Sequence, residues 1–440
     1  MECELGYRLT DSDGNEFDVG EEAAAKLTSE ALRISPSFGE ILSVPYRDIL
    51  ELSGSDYIIR VTLSSGDTLT LFNLGYLYED FLREFSGHRN AVILKDMLVQ
   101  EKPRLAGIEA VFSYIGENGE EMQGGDCELR LYETALVIVP ETGEIVRVPH
   151  SYVRGIREDD YTLIVETEFK EQIRLSMMGA KYNQVKNALN KMMNELIAKS
   201  QATLKQLLPK ANTMVIRKAA MVMREGKAAS RTDIESISGG LWRQLEDKLS
   251  SLGVKEEYDY LKSLSQEEKI CIGFKRDLMG ELTGEYVWFL IPIYGTDPRK
   301  PGNAVAMEAA SAEGGGKATY FFRIVGRNEY PGYDDIGDVH RVYDLLLETI
   351  NRCMLEINFR REPIYLPDES LKEPRYARYR HAVNRMPSLR TLRRLFIGRV
   401  SHRTPEQWRE DVTDLLRFNV EATDDDLKWS KGSRVKDSTS

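Results

Sequence analysis

Asp334, Asp335, Asp338 and His340 put three carboxylates and an imidazole within seven positions of one another. Those are ligand types for a divalent ion, or an acid–base pair, and they keep a metal-dependent enzyme among the readings. A helix with Val342, Leu345, Leu346, Thr349, Ile350 and Cys353 on one face is expected to begin near Asp338. Asp338 then stands where that helix needs an N-cap, and Asp334 and Asp335 favour its positive end, so capping is the reading adopted. Gly314-Gly315-Gly316-Lys317 raises the phosphate-loop question and fails it. The first glycine of GxxxxGK would fall on Ser311, and Ala318 follows the lysine. The stretch reads instead as the turn of a strand hairpin. There is no HExxH, no GxSxG, no dinucleotide fingerprint and no EF-hand loop. No catalytic residue, cofactor or metal is assigned, and the chain is read as a non-enzyme.

The other clustered signal is basic. Arg375, Arg378, Arg380, Arg385, Arg390, Arg393 and Arg394 are the candidate partner-binding residues, with Arg399 and Arg403 beyond them and Tyr376, Tyr379, His381 and Phe396 interleaved. Guanidinium groups among aromatic rings can grip phosphates and stack on bases, which makes nucleic acid one alternative. They can equally pair with acidic segments of the same chain or of a protein partner, or line a solvated helix. Leu389, Leu392, Leu395 and Phe396 recur at helical spacing, so the segment is expected to be helical with a buried face.

The elements that must carry these residues are dominated by an internal repeat, shifted by about 104 positions. Leu27, Ala31, Leu32, Ile34, Pro36, Gly39, Glu40, Ile41, Val44 and Pro45 fall on Leu131, Ala135, Leu136, Ile138, Pro140, Gly143, Glu144, Ile145, Val148 and Pro149. The register continues through Asp56-Tyr57 and Asp160-Tyr161 to Gly75 and Tyr78 against Gly179 and Tyr182. Each copy first alternates polar and apolar residues, as in Tyr57, Ile59, Val61 and Leu63, and then changes to a helical period, as in Tyr78, Phe81, Leu82 and Phe85. Turn residues at Pro36 to Gly39 and Pro140 to Gly143 separate strands. The unit is therefore about six or seven short antiparallel strands followed by one amphipathic helix.

That order, with Val44-Pro45-Tyr46-Arg47-Asp48-Ile49 and Val148-Pro149-His150-Ser151-Tyr152-Val153, resembles the tandem pleckstrin-homology-like superfamily, GRAM-like domains included, over about residues 5–200. The resemblance implies two strongly bent barrels, each with a C-terminal helix plugging one end, and a binding role for proteins or lipid head groups. Phosphoinositide binding in that family depends on basic residues in the first hairpin. Here the matching segments, Asp11-Ser12-Asp13-Gly14-Asn15-Glu16 and Glu117-Asn118-Gly119-Glu120-Glu121, are acidic, so head-group binding is disfavoured and a protein partner is expected.

Beyond the repeats, Leu204 to Met223 continue a helical pattern broken at Pro209. Further helices are expected around Thr232–Leu252 and Lys255–Ser265, with Met214, Met221 and Met223 as a soft partner face or as part of a packed connector. Strands are expected at Lys269–Lys275, Glu285–Tyr294, Asn303–Ser311 and Lys317–Val325. The organisation is multidomain α+β: 1–100 and 104–200 as the two repeats, 201–266 as a helical connector, 267–420 as an antiparallel-sheet domain with an arginine-rich helical end, and 421–440 as a loose tail anchored by Trp429.

Composition supports a chain that folds without staples. Of 440 residues 42% are hydrophobic, and Cys3, Cys127, Cys271 and Cys353 are scattered as reduced thiols are. No charged-then-apolar leader opens the chain, and the apolar run Tyr286–Tyr294 is about half of what a bilayer span needs, so a cytoplasmic location is expected. The net charge of −12 is divided unevenly. Residues 1–200 carry about −15 and the rest about +3, which makes the repeats poor surfaces for nucleic acid or anionic lipid. The resulting expectation is an interaction or adaptor protein whose repeats dock a protein partner through a strand edge or the groove beside the terminal helix.

Overall fold

The computed structural model describes residues 1–96, 101–276, 285–295, 302–311, 318–326, 329–330, 336–421 and 428–429. Gly314 to Lys317, Asp334 and Asp335 lie outside them. The chain divides into two compact units, Met1–Asn194 with Pro367–Arg385, and Glu195–Leu366 with Met386–Ser440. Among the described residues no helix is long and apolar enough to cross a membrane.

The first unit holds two seven-stranded antiparallel sheets. One is built from β1 (Glu2–Thr10), β2 (Glu16–Leu27), β3 (Ala31–Pro36), β4 (Leu42–Pro45), β5 (Ile49–Ser55), β6 (Ile58–Leu63) and β7 (Thr68–Phe72), followed by α1 (Tyr78–Asp96). The other is built from β8 (Leu105–Ile115), β9 (Glu121–Leu131), β10 (Ala135–Pro140), β11 (Val146–Pro149), β12 (Val153–Asp159), β13 (Thr162–Thr167) and β14 (Gln172–Ser176), followed by α2 (Tyr182–Leu207). The spatial orders are β4-β3-β2-β1-β7-β6-β5 and β11-β10-β9-β8-β14-β13-β12, so the first and last strands of each set pair. Every strand from β3 to β7 recurs 104 positions later, down to the helix start. Apolar side chains alternate inward: Leu32 and Ile34 are buried while Arg33 is exposed. The buried face of α1, with Phe81, Leu82 and Phe85, belongs to the same core as Leu5, Ile59 and Leu71. Val185, Leu189 and Met192 of α2 likewise join the second sheet's core.

The retained Asp-Tyr pairs have a conformational reason. Asp56 and Tyr57 link β5 to β6 with φ of 52° and 61°, and Asp160 and Tyr161 repeat this with 43° and 61°. Two consecutive left-handed residues make the tight hairpin connection that matches strand twist, normally filled by Asn-Gly. Each strained tyrosine leans on the first tyrosine of the following helix, Tyr57 on Tyr78 at 5.3 Å and Tyr161 on Tyr182 at 6.0 Å between ring centroids.

The second unit is organised on a six-stranded sheet ordered β15 (Ala229–Ser230), β16 (Cys271–Arg276), β17 (Glu285–Ile293), β18 (Ala304–Ser311), β19 (Ala318–Arg323) and β20 (Phe396–Ser401), with every pair antiparallel. Around it lie α3 (Thr213–Val222), α4 (Arg231–Ile237), α5 (Leu241–Ser251), α6 (Lys255–Ser263), α7 (Ile336–Glu356) and α8 (Glu362–Tyr365). The short α9 (Asp368–Leu371) and α10 (Ala377–Arg385) fold with the first unit, and α11 (Pro387–Leu395) and α12 (Pro405–Glu421) return to the second. Helical residues Leu204, Ile216, Ile234, Leu245, Leu249 and Leu261 share one buried cluster with Ile272, Phe289, Ile291 and Phe321 of the sheet. The helices of residues 201–266 thus pack in the same buried cluster as the sheet. On the other face, Trp288 packs edge-on against Phe359 and Tyr294 against His340. Burial on both faces explains the continuous apolar run through β17.

Several local expectations are corrected. Phe396 does not share the helical face of Leu389 and Leu392; it opens β20 and pairs with Phe322, because the edge of β19 takes a strand there. Asp338 is not an N-cap, since α7 begins at Ile336; it lies in the first turn and pairs with Arg341. Met223 is buried in the core while Met214 and Met221 are exposed, so the three do not form one face. Trp429 donates its backbone N–H to the carbonyl of Ile397 at 2.9 Å.

Candidate docking surface

The arginine series is divided between the two units. Arg375, Arg378, Arg380 and Arg385 belong to the first unit, and Arg390, Arg393, Arg394, Arg399 and Arg403 to the second. Arg375 pairs with Glu373 at 2.8 Å and lies over the Tyr376 ring. Arg378 lies over the Tyr379 ring. Arg380 donates to Asp48 at 2.6 Å, and the His381 ring to the carbonyl of Arg47 at 3.4 Å. Arg385 holds both oxygens of Glu144, at 3.1 and 2.8 Å. In the second unit Arg393 donates to the carbonyl of Pro363 at 2.6 Å, and Arg399 stacks over Tyr365. Arg390, Arg394 and Arg403 are exposed.

Glu144 is the centre of the first unit's charge network. Besides Arg385 it receives Arg89 of α1 at 2.7 Å, and the Arg89 side chain is fully buried. Burial alone would raise the Glu144 carboxyl; Arg385 and Arg89 outweigh it and hold the group below its ordinary value. Arg89 also donates to the carbonyl of Leu50 at 2.9 Å. Next to it, Asn90 donates its amide to the carbonyls of Pro140 and Gly143 at 3.4 and 3.2 Å. Arg83 pairs with Glu141 at 3.1 Å. The turn between β10 and β11 in the second repeat is therefore seated on the helix of the first repeat by one amide and two guanidiniums. Gln123 braces the same turn from β9, donating to the carbonyl of Glu144 at 3.0 Å.

The equivalent turn between β3 and β4 keeps Pro36, Gly39, Glu40 and Ile41 but is open. Gly39 has φ of 111° against 101° at Gly143, so the backbone takes the same left-handed course, one that glycine tolerates without strain. Phe38 is 94% exposed and Ile41 65%. Among the described residues Glu40 has no ion-pair partner. Two large exposed apolar residues flanking Glu40 in one turn are an unusual surface for solvent alone.

Of the described pair Asp338 and His340, Asp338 is bonded to Arg341. The His340 ring meets the Tyr294 hydroxyl at 2.5 Å, and among the described residues no group of three or more His, Cys, Asp or Glu is placed to hold a metal ion. The sequence reading overlooked a different buried pair. Glu308, fully buried on β18, accepts from Thr319 at 2.6 Å and lies 3.0 Å from the His402 ring, whose other nitrogen is 3.5 Å from Glu257. Burial raises the Glu308 carboxyl; for His402 burial works downward but Glu308 and Glu257 raise it on balance. A glutamate alternating within an apolar strand, Met307-Glu308-Ala309, was the available signal. No family model and no curated protein matches the chain.

Proposed function

We propose that this chain is a non-enzymatic cytoplasmic adaptor that docks a protein partner through two tandem pleckstrin-homology-like barrels. The strand order, with β4 and β5 as edges, β1 paired to β7 and a helix after the last strand, supports that barrel reading. The single observation that carries the docking is the asymmetry of the two turns: one copy is seated on a helix, the other presents Phe38 and Ile41 to solvent. A protein surface is favoured over lipid because Glu21, Glu22 and Glu40 flank the apolar group and would repel an anionic leaflet. Nucleic acid is disfavoured because Arg375, Arg380 and Arg385 pair with carboxylates of the chain's own and Arg393 is bonded to a backbone carbonyl.

The test is a photo-crosslinking amino acid at position 38 in the full chain, irradiated in the native cell. Covalent adducts to a discrete protein, lost when Glu40 is changed to Arg, support the reading. Adducts to lipid, or no adduct above that from an exposed control position such as Tyr76, would overturn it.

A further inference from the structure

We infer that the open turn of the first repeat receives a partner helix presenting an arginine followed directly by an asparagine, an inference that rests on the protein-docking reading above. The chain itself contains the template. In the second repeat the turn is recognised through three acceptors: the carbonyls of Pro140 and Gly143, taken by Asn90, and the Glu144 carboxylate, taken by Arg89. The first repeat offers the same three in the same order, Pro36, Gly39 and Glu40, on a turn with the same left-handed glycine. A helix delivers consecutive side chains about 100° apart, so an arginine–asparagine step can span a carboxylate and the adjoining carbonyls as α1 does.

The differences between the copies define the rest of the partner. Glu141, which pairs with Arg83, is replaced by Ser37, so the second ion pair has no counterpart and one guanidinium suffices. Thr142 is replaced by Phe38 and, in the strand register, Gln123 by Asp18. The brace that Gln123 supplies is gone, for the Asp18 side chain has no N–H to donate and its carboxylate accepts from the Tyr7 hydroxyl at 3.0 Å. The partner therefore carries an apolar residue one helical turn from the arginine, as Ile93 stands to Arg89, to cover Phe38 and Ile41. A buried aromatic beside a charge-assisted hydrogen bond is the usual composition of an interface hot spot.

The probe is a fluorescent peptide with the sequence of α1, residues 78–96 of this chain, held helical by a staple on the face opposite Arg89. It is titrated with the full-length protein and followed by anisotropy. The expected result is saturable binding, weakened at least tenfold by Phe38→Ala or Glu40→Arg in the protein and by Asn90→Ala in the peptide, and insensitive to Glu144→Gln. Phe38 and Glu40 are exposed, so these variants keep the fold, which thermal melts verify. No binding, or binding lost only with Glu144→Gln, overturns the inference, the latter by placing the peptide on the second repeat. A protein adduct at position 38 together with failure of the peptide would remove the arginine–asparagine chemistry and leave the docking reading standing.

Discussion

Tyr46 and His150 occupy the same place in the two repeats and donate to the same backbone carbonyl of each. The Tyr46 hydroxyl reaches Thr28 at 2.7 Å, and the His150 Nε2 reaches Tyr132, 104 positions later, at 3.0 Å. With Nε2 donating, Nδ1 carries the lone pair, and it is buried without a partner. Protonation would create a buried N–H with nothing to receive it, so burial depresses the His150 ring below its ordinary value.

The first unit should therefore lose stability in mild acid. His150 and His381 are both depressed by burial, His381 to about 4 with help from Arg385. Below the unfolded value of about 6.5 the unfolded chain binds protons that the folded one refuses, so stability falls as pH drops, down to the folded values. His150→Tyr restores the first repeat's arrangement and should flatten this dependence. Urea midpoints between about pH 5 and 8 check it; an unchanged slope in the variant would contradict the assignment.

The opposite sign is expected in the second unit. His402 is raised by Glu308 and Glu257, so its contribution is present below about pH 6.5 and is lost as pH rises through the folded value. His402→Ala leaves the fully buried Glu308 without its charged partner and should cost about 3–5 kcal/mol, whereas Glu308→Gln, which removes the charge, should cost less. Chemical denaturation of the two variants at neutral pH ranks them.

Removing Glu144 should be worse than removing Arg385. Glu144→Ala strands the fully buried Arg89 beside Arg385, a like charge that already disfavours it. Because Glu144 is part-exposed, the loss is set at about 2 kcal/mol rather than the full buried-pair value. Arg385→Met leaves the Arg89–Glu144 bond intact and should cost about 1 kcal/mol or less. Differential scanning calorimetry of both variants decides the order.

The Asp-Tyr hairpins separate strain from stacking. Tyr57→Ala keeps the left-handed strain and loses the contact with Tyr78, so about 1 kcal/mol of destabilisation is expected. Tyr57→Gly loses the same contact but relieves a strain of about 1 kcal/mol, and should lie within about 0.5 kcal/mol of the parent. Equal destabilisation by both would show that the turn is unstrained.

The repeat, its strands and its terminal helices were legible because periodicity and turn residues are local properties of the chain. Leu32, Ile34, Ile59 and Phe81 declare their faces by spacing alone, whereas Tyr57, read as part of the same alternation, is exposed in the turn. The same locality misled at Phe396, whose helical spacing from Leu392 said nothing of the strand edge waiting at Phe322. The helices between Leu204 and Leu261 looked like a connector because amphipathicity shows that a face is buried and never against what.

The sequence by itself determined that the chain opens with two copies of one strand-rich unit, that its first half is acidic, and that Glu40 and Glu144, Gly39 and Gly143 are equivalent. Only the tertiary structure decided that these equivalents differ, with one turn seated on Asn90 and Arg89 and the other open. It also decided the different partners of arginines eight positions apart, Glu144 for Arg385 and a backbone carbonyl for Arg393. The physical reason is that hydrogen bonds and ion pairs depend on separations in space of about 3 Å, which a chain hundreds of residues long sets only after its cores have formed.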